Sequence, residues 1–426
     1  MDGTARPPDV GEIVSLVAEF HRSSSQRLHL VPSENSMGLA ARMPFLTDAL
    51  FRYCFATDGE NTAWPGNLVL ADIEQAARTG LGELFAAQHV NIKSISGLNC
   101  MAVAVSSLAE PGGALLSIPE PDGGHAATRF MAERLGLRHH GLPYDRRSFG
   151  MDVERLADLC RGLSGPKLIY LDQFMCLFPH DLAAIRDAVG PDTLIHYDGS
   201  HVMGLIAGDQ FQDPLTEGAD SLGGSTHKSF PGPHKGLLLT NSETIAAGFD
   251  EHAGHWVSHP HPADIASLAI TTAEMLRTAG SYAARTVANA QRLGQRLSEL
   301  GFAVCAADRG FTRSHQLWID IADLMDPGRA SGALLQAGII VNAIEIPYLP
   351  AGAGLRLGVQ EVTRLGLNIN EMDEIAEMFA DVLIRRRDST VVRSRVGALL
   401  GRYRRDDEER VVEEVLAAAA RAAARG

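Results

Sequence analysis

An apolar run, Leu194-Ile195-His196-Tyr197, ends in Asp198, and thirty residues later Lys228 stands in Thr226-His227-Lys228. His201 follows the aspartate by three residues; Pro231-Gly232-Pro233 and a second apolar run follow the lysine. A carboxylate at a strand end can keep a pyridine nitrogen protonated, and a lysine can hold an aldehyde as a Schiff base. Those are two of the four parts that a pyridoxal 5'-phosphate site needs, the others being a group to stack on the ring and backbone N–H groups to take the phosphate. Ser96-Gly97-Leu98-Asn99 precedes a helix-like run and suits the phosphate, and His125, in Asp122-Gly123-Gly124-His125, suits the ring face. Arg356, in Gly354-Leu355-Arg356-Leu357-Gly358, offers a bidentate fork for a substrate carboxylate. Taken singly these residues are ordinary. A serine before a helix is usually a cap, an aspartate after a strand a turn residue, a lysine a solvated charge, and an arginine half of a surface pair. Their order from Ser96 to Arg356 favours the joint reading.

Such a set must be carried by strands and helices in alternation. Helical spacing runs over Val10 to Ser25, Ala71–Leu84, Gly97–Leu108, Gly124–Leu135, Val153–Arg161 and Leu182–Val189, and strand-like runs over Ala114–Ile118, Lys167–Leu171, Thr193–Tyr197 and Gly236–Leu239. Strands separated by helices predict an α/β fold with a mostly parallel sheet, and in such sheets the ligand sits beyond the carboxyl ends of the strands. A long helix is expected from Ala263 to Leu300. After it, GFAVCAA, HQLWIDI, GIIVNAI and LRLGV read as strands of a small α+β domain. The stretch Leu28 to Asn67 is irregular, and the tail Asp406–Arg425 reads as an exposed helix. The expected organisation is an N-terminal arm and helix over 1–40, a large cofactor-binding domain over 41–275, and a small C-terminal domain with a helical tail over 276–426.

Bulk properties narrow the class. The 426 residues carry a formal net charge of -14, which disfavours a nucleic-acid binder. Five cysteines are scattered with no C-x-x-C pair, so free thiols in a reducing cytoplasm are expected rather than disulfides or a metal centre. The N-terminus lacks a basic start followed by an apolar run, and no run reaches the roughly 18 apolar residues of a membrane span.

Several segments resemble the serine hydroxymethyltransferases. STHKSFPGPHKG resembles their T-T-T-H-K-T-x-x-G-P-R-G-G Schiff-base segment, HYDGSHVMGLIAG their D-x-A-H-x-x-G-L segment, LVPSENS their I-A-S-E-N, and LRLGVQEVTRLG their R-x-G-T-x-x-x-T-R-R-G. The resemblance runs from about residue 12 to 385 and implies the fold type I transferase architecture, with a seven-stranded-type sheet in the large domain. It also implies a homodimer with its site at the subunit interface. By the same resemblance Lys228 would carry the cofactor, with His227 beside it, and Asp198 would pair with the pyridine nitrogen. His201 would lie near the cofactor's 3'-oxygen, His125 would stack on the ring, Ser96 and Gly97 would hold phosphate, and Arg356 with Ser33 would take the substrate carboxylate.

The chain departs from that family where the family meets folate. The family's tyrosine- and glutamate-bearing stretch is replaced by Tyr53-Cys54-Phe55-Ala56-Thr57-Asp58-Gly59-Glu60-Asn61-Thr62-Ala63-Trp64. Tyr53 matches the first tyrosine; Asp58 or Glu60 stands in for the glutamate. The segment before Arg356, Glu345 to Gly352, is shorter and more apolar than the family's, and Leu171-Asp172-Gln173-Phe174 replaces a Gly-Gly-Phe-Ser type segment. A pterin site needs particular polar partners, so the pattern is similar to the L-threonine transaldolases, which share the scaffold. What that implies is Cα–Cβ cleavage of threonine, release of acetaldehyde, and transfer of the glycyl unit to a second aldehyde. Tyr53, His227, Asp58, Glu60 or a water are candidates for the base at the β-hydroxyl. The alternatives are a folate-dependent hydroxymethyltransferase acting on serine or glycine, a threonine aldolase, and a non-catalytic protein on the same fold.

Overall fold

The structure is a computed structural model that describes residues 7, 9–53, 68–346, 349 and 352–424. Its centre is a seven-stranded sheet in the order His89–Asn91, Gly236–Thr240, Ser221–Ser225, Thr193–Asp198, Lys167–Leu171, Ala114–Ser117, Arg138–Gly141. Gly236–Thr240 runs antiparallel to both neighbours; the other pairings are parallel. The expected mostly parallel α/β sheet is therefore present. Its inner strands Ala114–Ser117, Lys167–Leu171, Thr193–Asp198 and Gly236–Thr240 are largely buried, which is why they read as apolar runs, whereas the edge strand Arg138–Gly141 is polar and partly exposed. One face packs on Gly97–Leu108, Ala126–Arg134 and Glu243–Trp256 through Cys100, Val103, Ala132, Tyr170 and Phe249. The other packs on Leu68–Leu84, Val153–Gly162, Leu182–Val189 and the first part of Pro262–Glu299.

A second, antiparallel sheet has the order Ala303–Val304, Gln316–Asp320, Ala353–Gly358, Asn342–Glu345. It encloses its own core with Pro327–Gln336, Ile369–Leu383 and Ser389–Gly401. The 38-residue helix Pro262–Glu299 serves both cores: up to Ala283 its buried residues join the first, and from Ala290 the second. The N-terminal segment is tied to the second sheet's side of the molecule. Leu28–His29 pairs in parallel with Ile339–Ile340, and Leu28 and Leu30 are buried in the second core.

Three details differ from the sequence expectation. GIIVNAI forms two short strands, Ile339–Ile340 and Asn342–Glu345, that pair with different partners. GFAVCAA contributes only Ala303–Val304, since the chain turns into a short helical segment at Ala307–Arg309. Ser221–Ser225 is a central strand although its Ser-Leu-Gly-Gly-Ser sequence has neither β-branched residues nor alternation. Among the described residues no helix is long and apolar enough to cross a membrane, and Cys100, Cys160, Cys176 and Cys305 are free thiols.

Candidate active site

Parallel strands deliver their last residues to one edge, and Asp198 is the final residue of Thr193–Asp198. Its carboxylate is held on two sides. The Tyr170 hydroxyl donates to Oδ2 at 3.0 Å, and the Ser200 N–H donates to Oδ1 at 3.0 Å. Tyr170 is itself stacked on His196, 4.8 Å between centroids. The neighbouring strand passes close by at Gly224. Its φ is +134°, and a Cβ there would stand 2.8 Å from Asp198 Oδ1, so both backbone and space require glycine.

The helix Gly97–Leu108 points its N-terminus at the same edge. Ser96 is its N-cap, with the side chain accepting from Asn99 N at 3.1 Å. A Cβ on Gly97 would lie 2.9 Å from Ser225 Cβ, so the glycine brings the helix start against the end of Ser221–Ser225. Around that junction Ser94 Oγ, Ser225 Oγ and His227 Nδ1 are buried without a hydrogen-bond partner. Orphaned donors at a helix N-terminus are suited to an anion such as a phosphate. His227 stacks on His234 at 4.0 Å, and burial drives its ring down to about 4, so it is neutral near pH 7.

Lys228 lies in the loop after Ser221–Ser225, and this loop is pinned. Asn35 Nδ2 donates to the Lys228 carbonyl at 2.7 Å, the Tyr282 hydroxyl donates to the Ser229 carbonyl at 2.7 Å, and Gly204 N–H donates to Ser229 Oγ at 3.0 Å. Burial lowers the Lys228 ammonium pKa, Asp198 opposes that, and Arg356 adds to it. The lysine therefore feels both charged groups.

Arg356, on Ala353–Gly358, is only 4% exposed. Its guanidinium lies 5.3 Å over the Phe174 ring and reaches the Phe174 carbonyl at 3.5 Å. Nε has no partner, and among the described residues no carboxylate pairs with it. Burial pushes it down to about 10. A buried, unpaired guanidinium is costly, and an incoming carboxylate would relieve that cost.

Three histidines complete the group. The His125 ring caps Ala126–Arg134 by accepting from Ala127 N at 3.1 Å, and meets Phe174 edge-on at 6.4 Å. Burial lowers its pKa, with Asp198 opposing and Lys228 reinforcing. His201 is buried and lies 6.4 Å from His315 with near-parallel rings. Burial holds it well below its ordinary value, reinforced by Lys228, Arg356, His315 and His125. His315 donates from Nε2 to the Pro32 carbonyl at 3.1 Å; burial takes it to about 3.

The structure thus brings Ser96, Gly97, His125, Asp198, His201, His227, Lys228 and Arg356 to one edge. Ser33 follows Pro32 on the segment that crosses the end of the Arg356 strand, where Gly358 N–H donates to the Leu30 carbonyl at 2.9 Å. Gln360 clamps that segment through Val31 O at 2.7 Å and Glu34 O at 2.6 Å. The Tyr53 ring stacks on His259 at 4.0 Å. Asp58 and Glu60 lie outside the described residues.

Sequence reasoning missed Asn35, Tyr170 and His315 as site residues, and it noted Asp172 only as a departure. Asp172 follows Leu171, which pairs with Tyr197, so it stands level with Asp198. Thr128 donates to one of its oxygens, the other has no partner, and burial raises it well above the carboxylate range. Asn35 sits inside the Ser33-Glu34-Asn35 string and was within reach of motif reading; His315 is a lone histidine before a strand and carried no signal.

Comparison with known proteins follows the same pattern. Residues 8–379 match the family described as Serine hydroxymethyltransferase. A serine hydroxymethyltransferase of Methanocella arvoryzae is 37% identical over 407 residues, covering 93% of this chain and 95% of its own length. An L-threonine:uridine-5'-aldehyde transaldolase from Streptomyces sp is 38% identical over 386 residues, covering 87% and 92%. The crystal structure of L-threonine transaldolase from Pseudomonas fluorescens in the internal aldimine state superposes with a TM-score of 0.86 at 28% identity, covering 92% of this chain and 91% of that one.

Proposed function

The chain belongs to the serine hydroxymethyltransferase family of pyridoxal-phosphate enzymes, and from that premise we propose that it is an L-threonine transaldolase. It takes the glycyl unit of threonine, releases acetaldehyde, and joins the unit to a second aldehyde to give a new β-hydroxy amino acid. The observation that carries this reading over folate chemistry lies beside Arg356. Ile346 and Leu349, from the segment preceding the arginine strand, are buried with Met175, Leu177, Phe178 and Trp318 in one apolar cluster. A pterin's polar edge needs hydrogen-bond partners, and the apolar side chains of Ile346 and Leu349 supply none. The transaldolases among the relatives and solved structures support the same choice.

The orphaned Ser225 Oγ and His227 Nδ1 at the helix start fit a phosphate, and the paired Asp198 fits a pyridinium. When bound, pyridoxal 5'-phosphate supplies an electron sink for the carbanion left by Cα–Cβ cleavage. Asp198 would keep a proton on the ring nitrogen; Tyr170 and Ser200 keep Asp198 oriented. His125 would cover the ring face, and neutral His201 would lie near the 3'-oxygen. Ser96 and Gly97 place the helix N–H groups for phosphate. Lys228, with its ammonium destabilised by burial, more readily presents a neutral amine, and it would hold the cofactor through its aldehyde. Arg356 and Ser33 take the substrate carboxylate. The base at the β-hydroxyl is drawn from Tyr53, His227, Asp58, Glu60 or a bound water, and the neutral His227 ring can accept a proton.

We also propose a cytoplasmic homodimer with a role in secondary metabolism, organised as an arm, a large and a small domain over 1–40, 41–275 and 276–426. Exposed Val10, Ile13, Leu16, Val17 and Phe20 on the first helix, with Leu46 and Phe51, offer an apolar face for a second copy. The Methanocella relative favours a second reading, a folate-dependent hydroxymethyltransferase of serine and glycine.

The deciding experiment measures acetaldehyde release from L-threonine without folate, with and without an added aromatic aldehyde. A new β-hydroxy amino acid accompanying acetaldehyde establishes the transaldolase. Acetaldehyde and glycine alone indicate a threonine aldolase, and serine–glycine exchange that requires tetrahydrofolate indicates the hydroxymethyltransferase.

A further inference from the structure

Apart from the substrate groups, His29, Glu34 and Glu361 turn one ligand atom each into a single space, all within 4.8 Å of one another. His29 Nε2 lies 3.1 Å from the Ser24 carbonyl. A carbonyl only accepts, so Nε2 carries a proton, and whenever the ring is neutral Nδ1 is left as a lone pair. Nδ1 faces Glu34 Oε2 at 3.6 Å, so the pair attracts when the ring is charged. The third group, Glu361, has no hydrogen-bond or ion-pair partner among the described residues. Burial pushes its carboxyl up to about 7, with His29 pulling it down and Glu34 pushing it further up. Burial also opposes the charge on His29, but its carboxylate neighbours and the Ser24 carbonyl outweigh that and raise it.

Two carboxylates and an imidazole gathered in one space favour a positive charge between them, either a proton or a bound cation. We infer that His29, Glu34 and Glu361 form a binding site for one divalent transition-metal cation of the zinc class, with water completing its coordination. Imidazole and carboxylate are ligand types for such ions. Ligands of a tetrahedral zinc stand about 3.4 Å apart, given metal–ligand bonds of about 2.1 Å, close to the 3.6 Å between His29 and Glu34. Access exists: a cavity of about 890 Å³ is lined by His29 and Glu361 together with Ser24, Arg42 and Tyr403. Its consequence is positional. Glu34 lies between Ser33 and Asn35, and Glu361 follows Arg356 by five residues. A bound cation would tie the arm that reaches the Lys228 loop to the end of the arginine strand.

This site stands independently of which reaction the enzyme performs. Its test uses tag-free holoenzyme stripped with a chelator, titrated with Zn²⁺ by calorimetry, with metal content measured after gel filtration. One equivalent at micromolar affinity or tighter, with a rise in Tm from preferential binding to the folded state, is expected. Glu34 is exposed, so Glu34→Gln should fold; it and Glu361→Gln should each weaken binding at least about tenfold, with the cofactor absorbance retained. Absence of stoichiometric Zn²⁺ binding would mean that the space holds only a proton, and the inference falls. Binding that neither substitution weakens would place the metal elsewhere and overturn it equally.

Discussion

At the residue scale, the site is a set of charges and rings whose states are set by burial. Arg356 is the clearest case, a guanidinium with no carboxylate partner among the described residues. Arg356→Ala should raise the threonine KM by roughly two orders of magnitude, within the about 2–5 kcal/mol that a desolvated charge pair commonly costs, with a smaller change in kcat. Arg356→Lys should rescue little, because the fork geometry is lost; steady-state kinetics on both variants checks this. Lys228→Ala should lower turnover by on the order of 10³-fold or more, and multiple turnovers at the normal rate would remove the lysine from its role. Asn35 acts through another residue. Asn35→Ala leaves the Lys228 carbonyl without its 2.7 Å donor, a loss of about 1 kcal/mol. It should reduce kcat several-fold while the threonine KM holds, with a shifted cofactor absorbance; an unchanged spectrum and a rise in KM alone would mean a merely structural role. Lys228, Asp198 and Arg356 were legible because each stands in a string whose order repeats a known chemistry. Tyr170 and His315 were not, since a tyrosine inside an apolar strand and a single histidine look like any core residue until partners are known.

At the element scale, the strands and helices had to bring these residues to one edge, and the least conspicuous strand matters most. Ser221–Ser225 leads directly to Lys228 yet has no β-type pattern. It is small-residue because it is squeezed between Gly97–Leu108, Gly236–Thr240 and the Asp198 carboxylate, so volume and not propensity set its sequence. Gly224→Ala should therefore lower Tm and loosen cofactor binding together, through both the positive φ and the contact with Asp198; cofactor dissociation followed by absorbance, beside a melting curve, checks it. The helices Gly97–Leu108 and Leu182–Val189 appeared as expected because caps and apolar spacing agree there. GIIVNAI broke into two strands because its halves pair with different partners, a non-local choice that local spacing does not encode.

At the scale of the whole molecule, two properties emerge that no single element carries. His180 and His196 are buried and neutral, with burial holding each near 4 rather than 6.5. Between those values the unfolded chain binds more protons than the folded one, so stability falls as pH drops through that window, by up to about 3 kcal/mol per group. Melting curves from pH 7 to pH 4 should show this, and His180→Gln should flatten the profile. The second is the homodimer proposed above. If the apolar face on the first helix meets a second copy, Leu46→Glu with Phe51→Glu should shift sedimentation from dimer to monomer and cost activity, whereas an unchanged dimer would put the interface elsewhere. By itself the sequence determined the α/β class and the cofactor chemistry and pointed to the candidate site residues, because these rest on local periodicity and on motifs whose spacing is covalent. Only the tertiary structure decided which groups face one another. Among the described residues Arg356 has no carboxylate partner, Asn35 clamps Lys228, and His29 meets Glu361 across more than three hundred residues. Such pairings depend on how two separate cores pack along a shared helix, and chain order carries no record of that distance.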